Sequence, residues 1–578
     1  MAGRTHYIAE ISEQNIGQRV TVAGWVHRRR DHGGLIFIDL RDRSGLLQIV
    51  AEPGQTDVFE TLARVRGEYV MRVHGVVGPR PSGMANPELA SGSIEIRPQA
   101  VEILAESKTP PFMPSEAEAV DELVRLKYRY LDLRRPGLLG HFLLRDRVLH
   151  AVRRFFHDHG FLDVETPALA RSTPEGARDF LVPSRVQAGR FYALPQSPQI
   201  FKQLLMVAGF DRYYQIAKVF RDEDLRADRQ PEFTQIDVEM SFMDRDQILD
   251  LMEAMLHQVF QEALGTTLEP FVRMSWRDAM RLYGSDKPDL RAGEPLCDLT
   301  QAARTVAWEV LATAPAVAGV LVRQLAPSRR QLDGWVAQAR QLGAPGLLWI
   351  VREARETRSS GHKLLGAQGV ERLADAAGLL DGDTLLVAAG EDPAAFRLAG
   401  QLRLEIARQL DRVMPGFKFL WVTDFPLFEW SDEEGRLVSA HHPFTMPHAD
   451  DLAILEDSPL EVRSEAYDVV LNGSELASGS LRIYQPELQS RIFSVLGLSA
   501  EEIDAKFGFL LQAFQYGAPP HGGIAFGLDR LVMLMAGAKS LRDVIAFPKT
   551  ARGTDPLTDA PSLVDRRQLS ELHLGVTQ

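Results

Sequence analysis

The sequence predicts a multidomain α+β protein: a small N-terminal β-barrel, a larger α+β domain and an α+β insertion within it. Three observations lead to this fold class. The chain has 578 residues, about three or four domains at roughly 150 residues each. Its first 110 residues contain five strand-like runs, and the stretch 291–410 changes to an Ala-, Leu- and Gly-rich composition. With 45% hydrophobic and 25% charged residues, the chain can bury large cores.

The N-terminal strand-like runs are short and separated by turn residues such as Gly33-Gly34 and Ser44-Gly45. The runs are Thr21–Val26, Leu35–Leu40, Leu46–Val50, Tyr69–Val77 and Ser93–Leu104. Five short strands in about 100 residues favour a Greek-key barrel, of which the OB-fold is the commonest kind.

The segments after the barrel differ in composition. Lys108–Pro114 is proline-rich and predicts a stiff linker. Residues 125–154 hold nine Lys and Arg against two Asp at helical spacing, and two interpretations stay open: a solvated helix face, or a face that binds phosphates. The insertion alternates helical patterns (330–342, 366–377, 394–410) with strand-like runs (347–351, 384–388). The polar tail from Lys549 predicts an extended arm.

Charge and cysteine content exclude several classes of function. Cys297 is the single cysteine, so neither an intramolecular disulfide nor a cysteine-based zinc cluster can form. The net charge of −13 argues against a nucleic-acid partner, although residues 1–110 are neutral, with 13 basic and 13 acidic side chains. No apolar run approaches the ~18 residues of a membrane helix and the N-terminus lacks an apolar core, which predicts a cytoplasmic protein with no membrane contact.

Three segments far apart in the chain carry residues suited to chemistry. The first, Gly160–Leu169, predicts a helix exit followed by a strand that contains Pro167. The second runs from Phe220-Arg-Asp-Glu223 to Arg229-Gln-Pro-Glu-Phe-Thr-Gln-Ile-Asp-Val-Glu239 and predicts a β-hairpin with a polar inner face. The third, Gly522–Ala536, places glycines before Arg530 and an apolar helical stripe after it. Its Arg530 and free backbone N–H groups could meet a phosphate.

The polar inner face of the predicted hairpin indicates a binding site. Arg221, Glu223, Phe233, Asp237 and Glu239 would lie on adjacent strands, where buried charges need partners. An arginine fork suits a phosphate, and an aromatic ring beside it suits a base. The alternative is a surface hairpin whose charges form ion pairs.

In this order, the three segments resemble the three signature motifs of class II aminoacyl-tRNA synthetases. Further segments resemble the aspartyl-tRNA synthetases of bacterial type, and the resemblance extends over essentially the whole chain. These are Gly24–Arg30, Ser172–Phe180, Gln196–Lys202, His441–Thr445 and Asn472–Glu475 with Arg482. Two departures stand out: Asp529 where many members have Glu, and Ala477-Ser478 in place of glycines.

The resemblance implies an L-aspartate site and an ATP site. Lys202 and Arg482 would hold the side-chain carboxylate of aspartate, and His441 would lie on a loop that closes over it. The other residues implied for aspartate are Glu175, Ser197, Gln199, Arg221 and Asp237. Arg221 would stabilise the α-phosphate, Phe233 would stack on adenine, and Arg530 would hold the γ-phosphate. The other residues implied for ATP are Asp222, Glu223, Gln230, Glu475, Gly527, Leu528 and Asp529.

Arg221, Glu475 and Arg530 would be the catalytic set. Asp468 and Glu475 would bind Mg²⁺, since hard carboxylates are its usual ligands. For Asp468 the alternative is an ordinary carboxylate on a surface helix. The implied reaction activates L-aspartate with ATP and transfers it to tRNA, in a cytoplasmic homodimer that forms through the first motif.

The resemblance also assigns the barrel to the tRNA anticodon. Arg30, Phe37 and Gln48 would read it, although Phe37 could instead belong to the barrel core. In this family His after Arg-Arg-Arg-Asp is associated with enzymes that charge both tRNA-Asp and tRNA-Asn, and Leu with those that charge tRNA-Asp alone. His32 and Gly83 match the relaxed pattern, and both specificities stay open.

The predicted domains are an OB-fold anticodon-binding domain (1–107), a linker (108–135), a catalytic domain in two parts (136–283 and 413–548), an insertion (284–412) and a C-terminal extension (549–578). Two kinds of alternative function remain. A non-catalytic tRNA-binding paralogue should have lost Arg221, Glu475 or Arg530, which are all present. Asparaginyl or lysyl relatives would need a neutral or an acidic pocket, which Lys202 and Arg482 do not provide.

Overall fold

The computed structural model describes residues 3–54, 56–172, 178–223, 229–354 and 356–576. The chain divides into two compact units. The first consists of Met1–Arg145 with Ala538–Leu563, and the second of Asp146–Gly537 with Val564–Gln578. None of the helices in the described ranges is long and apolar enough to cross a lipid bilayer.

The first unit contains a closed five-stranded barrel, which confirms the predicted OB-fold. Its strands are β1 (Arg19–His32), β2 (Leu35–Asp42), β3 (Gly45–Ala51), β4 (Val70–Pro79) and β5 (Ile94–Ala105), with α1 (Thr56–Arg64) between β3 and β4. The strand order is β1-β2-β3-β5-β4, in which β3 and β5 are parallel. Gly33 and Gly34 both have positive φ and form the two-residue turn of the first hairpin. Along β2, buried Ile36, Ile38 and Leu40 alternate with half-buried side chains, as a barrel wall requires.

The basic region 125–154 forms three helices, α2 (Glu122–Lys127), α3 (Arg129–Asp132) and α4 (Pro136–Asp158). Several of its arginines bind the protein itself. Arg129 is buried and donates to Asp132 and to the carbonyl groups of Arg542, Ile545 and Ala546. Arg134 pairs with the buried carboxylate of Glu68 at 2.7 Å. Arg129 therefore fits neither of the two interpretations, since it is buried rather than solvated and its donors are used within the protein, and Arg134 is engaged by Glu68.

The second unit is built on a large sheet. Its first elements are β6 (Leu162–Asp163), β7 (Leu181–Pro183), β8 (Phe191–Ala193), α5 (Gln199–Val207), β9 (Arg212–Phe220), β10 (Glu232–Ser241), α6 (Arg245–Leu264), β11 (Val272–Ser275) and α7 (Trp276–Tyr283). β9 and β10 pair antiparallel and form the predicted hairpin.

The insertion follows α7 and has its own five-stranded sheet in the order β12-β13-β16-β14-β15. Its elements are β12 (Cys297–Asp298), α8 (Thr300–Ala303), α9 (Glu309–Thr313), β13 (Ala316–Val322), α10 (Arg329–Gln341), β14 (Leu348–Glu353), β15 (Glu356–Ser359), α11 (His362–Ala376), β16 (Thr384–Gly390) and α12 (Ala394–Gln409). The three predicted helices and two predicted strands are present, whereas the buried strand β13 was not predicted.

The chain then returns to the large sheet. The remaining elements are β17 (Phe419–Thr423), β18 (Phe428–Ser431), β19 (Arg436–Ser439), β20 (Ala466–Leu471), β21 (Ser474–Leu481), α13 (Pro486–Val495), α14 (Ala500–Phe514), β22 (His521–Gly527), α15 (Leu528–Ala536) and α16 (Arg566–Glu571). The order of the eight strands is β11-β17-β20-β21-β22-β10-β9-β6. All pairs are antiparallel except β11–β17 and β6–β9. The prediction that the tail is an extended arm is wrong in part, because α16 lies within it.

Candidate active site

Three neighbouring strands of the large sheet order the candidate site. β10 and β21 both pair antiparallel with β22, so they run in the same direction. Phe233 and Glu475 lie near the starts of β10 and β21, and β22 ends there at Gly527, just before α15. Glu239 lies near the end of β10, where His521 begins β22 and Arg482 follows β21. The sheet therefore has one end rich in predicted ATP residues and another rich in predicted aspartate residues.

At the end of the sheet that is rich in predicted aspartate residues, a buried cluster combines two cations with two carboxylates. Lys202 Nζ lies 2.8 Å from Asp237 Oδ1 and 3.3 Å from Glu239 Oε2. Arg482 Nε lies 3.0 Å from Glu239 Oε1, and its Nη2 lies 3.3 Å from Oε2. Each of these side chains is at most 3% exposed. Such a cluster is costly to bury unless its hydrogen bonds are satisfied, so its presence indicates a binding role.

The alternation of side chains along β10 explains why Asp237 and Glu239 lie in the same cluster. Ile236, Val238 and Met240 face one side of the sheet, and Asp237 and Glu239 face the other. Gly523 lies opposite Glu239, and a Cβ there would be 1.9 Å from Glu239 Oε2. The glycine therefore makes the room that the carboxylate occupies.

The two carboxyl groups respond differently to this environment. Burial raises the pKa of Asp237, against the opposing charge of Lys202. Burial also opposes ionisation of Glu239, but the charges of Arg482 and Lys202 outweigh it and lower the pKa of Glu239. Asp237 Oδ2 is buried and accepts no hydrogen bond from the described residues. The hydroxyl of Tyr213 also interacts with this carboxyl group and opposes the rise in its pKa.

The tandem histidines point in different directions. His442 Nε2 accepts a hydrogen bond from Arg482 Nη1 at 2.5 Å. Burial, followed by the charge of Arg482, lowers the pKa of His442 well below its usual value, so its ring is neutral. His441, the predicted substrate residue, instead lies 3.7 Å from Asp468 Oδ1 and packs edge-on against Phe425. Burial lowers the pKa of His441, but Asp468 outweighs it and the pKa is raised.

Sequence reasoning did not name His442, and it named Glu239 on the polar hairpin face without including it among the residues implied for aspartate. The strand pattern had already placed Glu239 on the polar face, two residues from Asp237. For His442 the only signal was its position next to His441.

At the first end of the strands, Arg221 and Phe233 come together. The Arg221 guanidinium carbon lies 5.2 Å from the centroid of the Phe233 ring, and the Arg221 N–H donates to the Pro231 carbonyl. Arg221 Nε is buried without a hydrogen-bond partner in the described residues. Glu223 pairs with Arg229 at 2.6 Å, and Gln230 is buried nearby in sequence. An arginine with an unused N–H beside a ring can bind a phosphate and a base.

Arg530 lies in the first turn of α15 and donates to the Glu475 carbonyl at 2.5 Å. The preceding Asp529 is buried, and its Oδ2 accepts a hydrogen bond from the Thr234 N–H at 2.8 Å. This contact ties α15 to β10, so the aspartate found where many resembled proteins have Glu serves a structural purpose here.

Asp468 and Glu475 form an acidic pair. Asp468 lies on β20 and is 7% exposed, so the alternative that it is a surface-helix carboxylate is wrong. Its charge, followed by burial, raises the pKa of Glu475, while Lys287 and Arg530 oppose the rise. Asp468 Oδ1 is buried and has His441 Nε2 at 3.7 Å as its ion-pair partner among the described residues. Two interacting carboxylates suit a divalent cation, although the described residues contain no group of three or more potential ligands.

The remaining predicted residues differ in position. Ser197 Oγ accepts a hydrogen bond from the Gln199 N–H at the start of α5, and Gln199 Nε2 is buried without a partner in the described ranges. Asp222 is exposed. Glu175 lies outside the described residues. The replaced glycines are tolerated: Ala477 and Ser478 sit in β21, whereas a Cβ on Gly479 would be 2.3 Å from the Gly523 carbonyl oxygen.

The barrel carries a second, separate group of predicted residues. Arg30 pairs with Asp39 at 2.7 Å, and its guanidinium lies 5.9 Å from the Phe37 ring. Phe37 is half-buried and alternates with Ile36 and Ile38, which point into the barrel core, so the alternative that it belongs to that core is wrong. Gln48 donates to the buried Glu95 at 3.1 Å. Of the two specificity positions, His32 is exposed and Gly83 has a φ of 79°.

Comparisons with known proteins identify the families to which the chain and its barrel are similar. Residues 121–551 match the family model of class II tRNA synthetases (D, K and N), and residues 20–104 match that of the OB-fold nucleic acid binding domain. The chain is 52% identical to an aspartate–tRNA ligase of Bacillus licheniformis, over 100% of this chain and 99% of the relative. It is 50% identical to an aspartate–tRNA(Asp/Asn) ligase of Caldanaerobacter subterraneus subsp. tengcongensis, over 99% and 98%.

Solved structures support the fold alone. An asparaginyl-tRNA synthetase from Pyrococcus horikoshii, complexed with asparaginyl-adenylate, superposes with a TM-score of 0.61 at 17% identity, covering 95% of this chain and 99% of the other. An aspartyl-tRNA synthetase from Entamoeba histolytica superposes with a TM-score of 0.57 at 18% identity, covering 94% and 91%.

Proposed function

The chain belongs to the class II tRNA synthetases of the D, K and N group, and we propose that it is an aspartate–tRNA ligase. It activates L-aspartate with ATP to aspartyl-adenylate and pyrophosphate, and then transfers the aspartyl group to the 3′ end of tRNA. The observation that carries this proposal is the buried cluster of Lys202 and Arg482 with Asp237 and Glu239.

The count of N–H groups in the cluster explains the choice of aspartate. An ammonium has three N–H donors and a guanidinium five. Lys202 donates one hydrogen bond to Asp237 and forms an ion pair with Glu239, and Arg482 uses four donors on Glu239, Ser480 and His442. Among contacts with the described residues, each cation keeps at least one N–H for a ligand. The two oxygens of a carboxylate can accept an N–H from each cation. The side-chain amide of asparagine has one acceptor oxygen, and its N–H₂ group would lie against an N–H donor of the protein.

Adenylation needs positioning and charge stabilisation rather than a covalent enzyme intermediate. We assign Arg221 to the α-phosphate, Phe233 to the adenine ring and Arg530 to the γ-phosphate. The unused Nε of Arg221 supports the first assignment. Glu223, Gln230, Gly527, Leu528 and Asp529 would shape the nucleotide site together with Asp222. On the amino-acid side, Glu175, Ser197 and Gln199 would contact the substrate, with Asp237 and His441 nearby.

The acidic pair fits Mg²⁺, because the charge of Asp468 disfavours Glu475 as a free anion and both side chains offer hard carboxylate oxygens. Asp468 and Glu475 would hold the ion, which supplies positive charge to the triphosphate when bound. Lys287 and Arg530 moderate the same negative charge from the protein side.

The barrel would bind the anticodon through Arg30, Phe37 and Gln48, with Phe37 stacking on a base. We further propose relaxed specificity towards tRNA-Asp and tRNA-Asn. His32 and Gly83 support it, as do relatives described as aspartate–tRNA(Asp/Asn) ligases. Aminoacylation of separate tRNA-Asp and tRNA-Asn transcripts tests this, and charging of tRNA-Asp alone would contradict it.

We propose the domain boundaries predicted above, a cytoplasmic location and a homodimer formed through the first motif. The dimer is supported by Leu162 and Leu169 of that motif, which are 50% and 52% exposed. Sedimentation of the purified chain measures the oligomeric state.

The central test is ATP–pyrophosphate exchange with aspartate, asparagine and lysine as separate substrates. We expect exchange with aspartate alone. Absence of exchange at saturating aspartate would overturn the proposed function.

A further inference from the structure

Lys287 lies in the loop between α7 and the insertion and directs its ammonium to the ATP end of the site. Its Nζ is 4.0 Å from Glu475 Oε2, and its side chain is 48% exposed. Among the described residues, Glu475 provides the one carboxylate within ion-pair distance of Lys287. Arg530 contacts the same residue through its carbonyl oxygen. Lys287 therefore approaches the side chain of Glu475, and Arg530 approaches its backbone.

The loop that carries Lys287 is held on both sides. Arg403 of the insertion helix α12 donates to the carbonyls of Asp289 at 3.0 Å and Glu294 at 2.8 Å. On the other side, Asp289 packs against the β20–β21 turn, where a Cβ on Gly473 would be 3.0 Å from the Asp289 Cβ. Pro288 fixes the backbone directly after Lys287. The lysine is thus presented at a defined place, although its own side chain is free to move.

The contact with Glu475 is long and half-exposed, so it contributes little to stability. Such a contact allows the ammonium of Lys287 to leave Glu475 and bind another anion. A triphosphate carries more negative charge than one carboxylate and would displace Glu475 from the ammonium. The four-carbon stem of lysine then lets the ammonium reach a phosphate oxygen beside Arg530.

We propose that Lys287 is a further phosphate-binding residue of the adenylation site, which contacts the β- or γ-phosphate of ATP. This inference rests on the proposed function. An oxygen of the aspartate α-carboxylate forms a bond to the α-phosphorus, and the bond from that phosphorus to the bridging oxygen breaks. Pyrophosphate leaves with the electron pair, and Lys287 stabilises the negative charge that it gains. The insertion would take part in catalysis by holding this loop in place.

The test compares K287M and K287R with K363M, a control at the exposed Lys363 at the start of insertion helix α11. ATP affinity is measured by calorimetric titration with Mg²⁺, and KM for ATP and aspartate by pyrophosphate exchange. For K287M we expect Kd and KM for ATP to rise about ten-fold or more, since a charge-assisted hydrogen bond is lost. K287R should stay within about three-fold of wild type, and KM for aspartate should not change.

An ATP Kd for K287M within two-fold of wild type would overturn the inference. An equal loss of ATP and aspartate affinity would also overturn it, because it would indicate a general disturbance of the site. Wild-type chain without aspartate-dependent exchange would overturn the proposed function instead. The ATP titrations distinguish the two failures, since they do not depend on aspartate.

Discussion

The proposed aspartate pocket and the proposed anticodon face of the barrel both use arginine, yet the environments of the two arginines are opposite. Arg482 is 3% exposed, and its guanidinium is bound by Glu239, Ser480 and His442. Arg30 is 33% exposed and pairs with Asp39 beside the half-buried ring of Phe37. A small ligand that differs from its competitor by one charge needs desolvated partners. A base in a flexible loop can be bound by stacking at an open surface.

The largest effect should follow from removal of the buried cation. Arg482→Ala leaves the carboxylate of Glu239 with Lys202 as its remaining cation and removes a donor for the substrate. We expect aspartate activation to fall about a hundred- to several thousand-fold, in line with the ~3–5 kcal/mol cost of breaking a buried ion pair. Affinity for ATP should change little, because the ATP residues lie at the other end of the strands. Pyrophosphate exchange and ATP titration measure the two effects, and unchanged kcat and KM for aspartate would contradict the assignment.

A smaller effect in the same pocket should come from Gly523→Ala. The added Cβ would overlap Glu239 Oε2 and approach the Val238 carbonyl oxygen at 2.2 Å, so the carboxylate must move. We expect a loss of about 1–3 kcal/mol in unfolding free energy, with a rise in KM for aspartate. Gly140→Ala in α4 is the control, because a Cβ there meets no atom within 4 Å. Chemical unfolding measures the unfolding free energy of both variants. If Gly523→Ala were as stable as the wild type, the sheet would accommodate the added Cβ and the expected loss would be contradicted.

On the barrel, Phe37→Ala should affect tRNA alone. Loss of one stacked base costs roughly 1–3 kcal/mol, so we expect kcat/KM for tRNA charging to fall about ten- to hundred-fold. Exchange without tRNA should be unchanged, because the adenylation residues lie in the second unit. Aminoacylation and exchange assays on one preparation make the comparison. A parallel loss of exchange would mean that Phe37 acts through the fold.

The same two regions show what a sequence can predict. The barrel strands were predictable because their alternation and turns lie within about 100 residues. Lys202, Asp237 and Arg482 were predictable through the resemblance of their segments to a known family. The choice between His441 and His442 was not, since it depends on how Phe425 and Arg482 pack around two identical side chains. Strand β13 was missed because the run Ala316–Val322 is apolar throughout and has no period.

Lys287 shows a different limit. Nothing in its local sequence indicates phosphate binding, because its acidic partner Glu475 is distant in the chain. Their approach depends on the insertion helix that carries Arg403 and on the turn at Gly473. Such contacts exist only after the insertion and the large sheet have both formed.

The smallest predicted effect is a change in the pH dependence of stability, and it concerns one carboxyl group in each region. Burial opposes the ionisation of Glu239, but Arg482 and Lys202 lower its pKa. In the barrel, burial raises the pKa of Glu95, although Gln48 opposes the rise. The ionised form is thus favoured by folding in the pocket and disfavoured by folding in the barrel.

These opposite shifts predict opposite effects of pH on stability. A lowered folded pKa gives Glu239 a stabilising contribution above its unfolded pKa of about 4.3, which is lost as pH falls through the folded pKa. Glu239→Gln should therefore lose unfolding free energy at pH 7, with a smaller loss at acid pH. The raised folded pKa of Glu95 gives a contribution that is complete below the unfolded pKa and lost as pH rises through the folded pKa. Glu95→Gln should therefore gain stability at pH 7 relative to acid pH. Unfolding of both variants at a series of pH values tests the pair, and shifts of the same sign would mean that Glu95, like Glu239, is held as an anion by its neighbours.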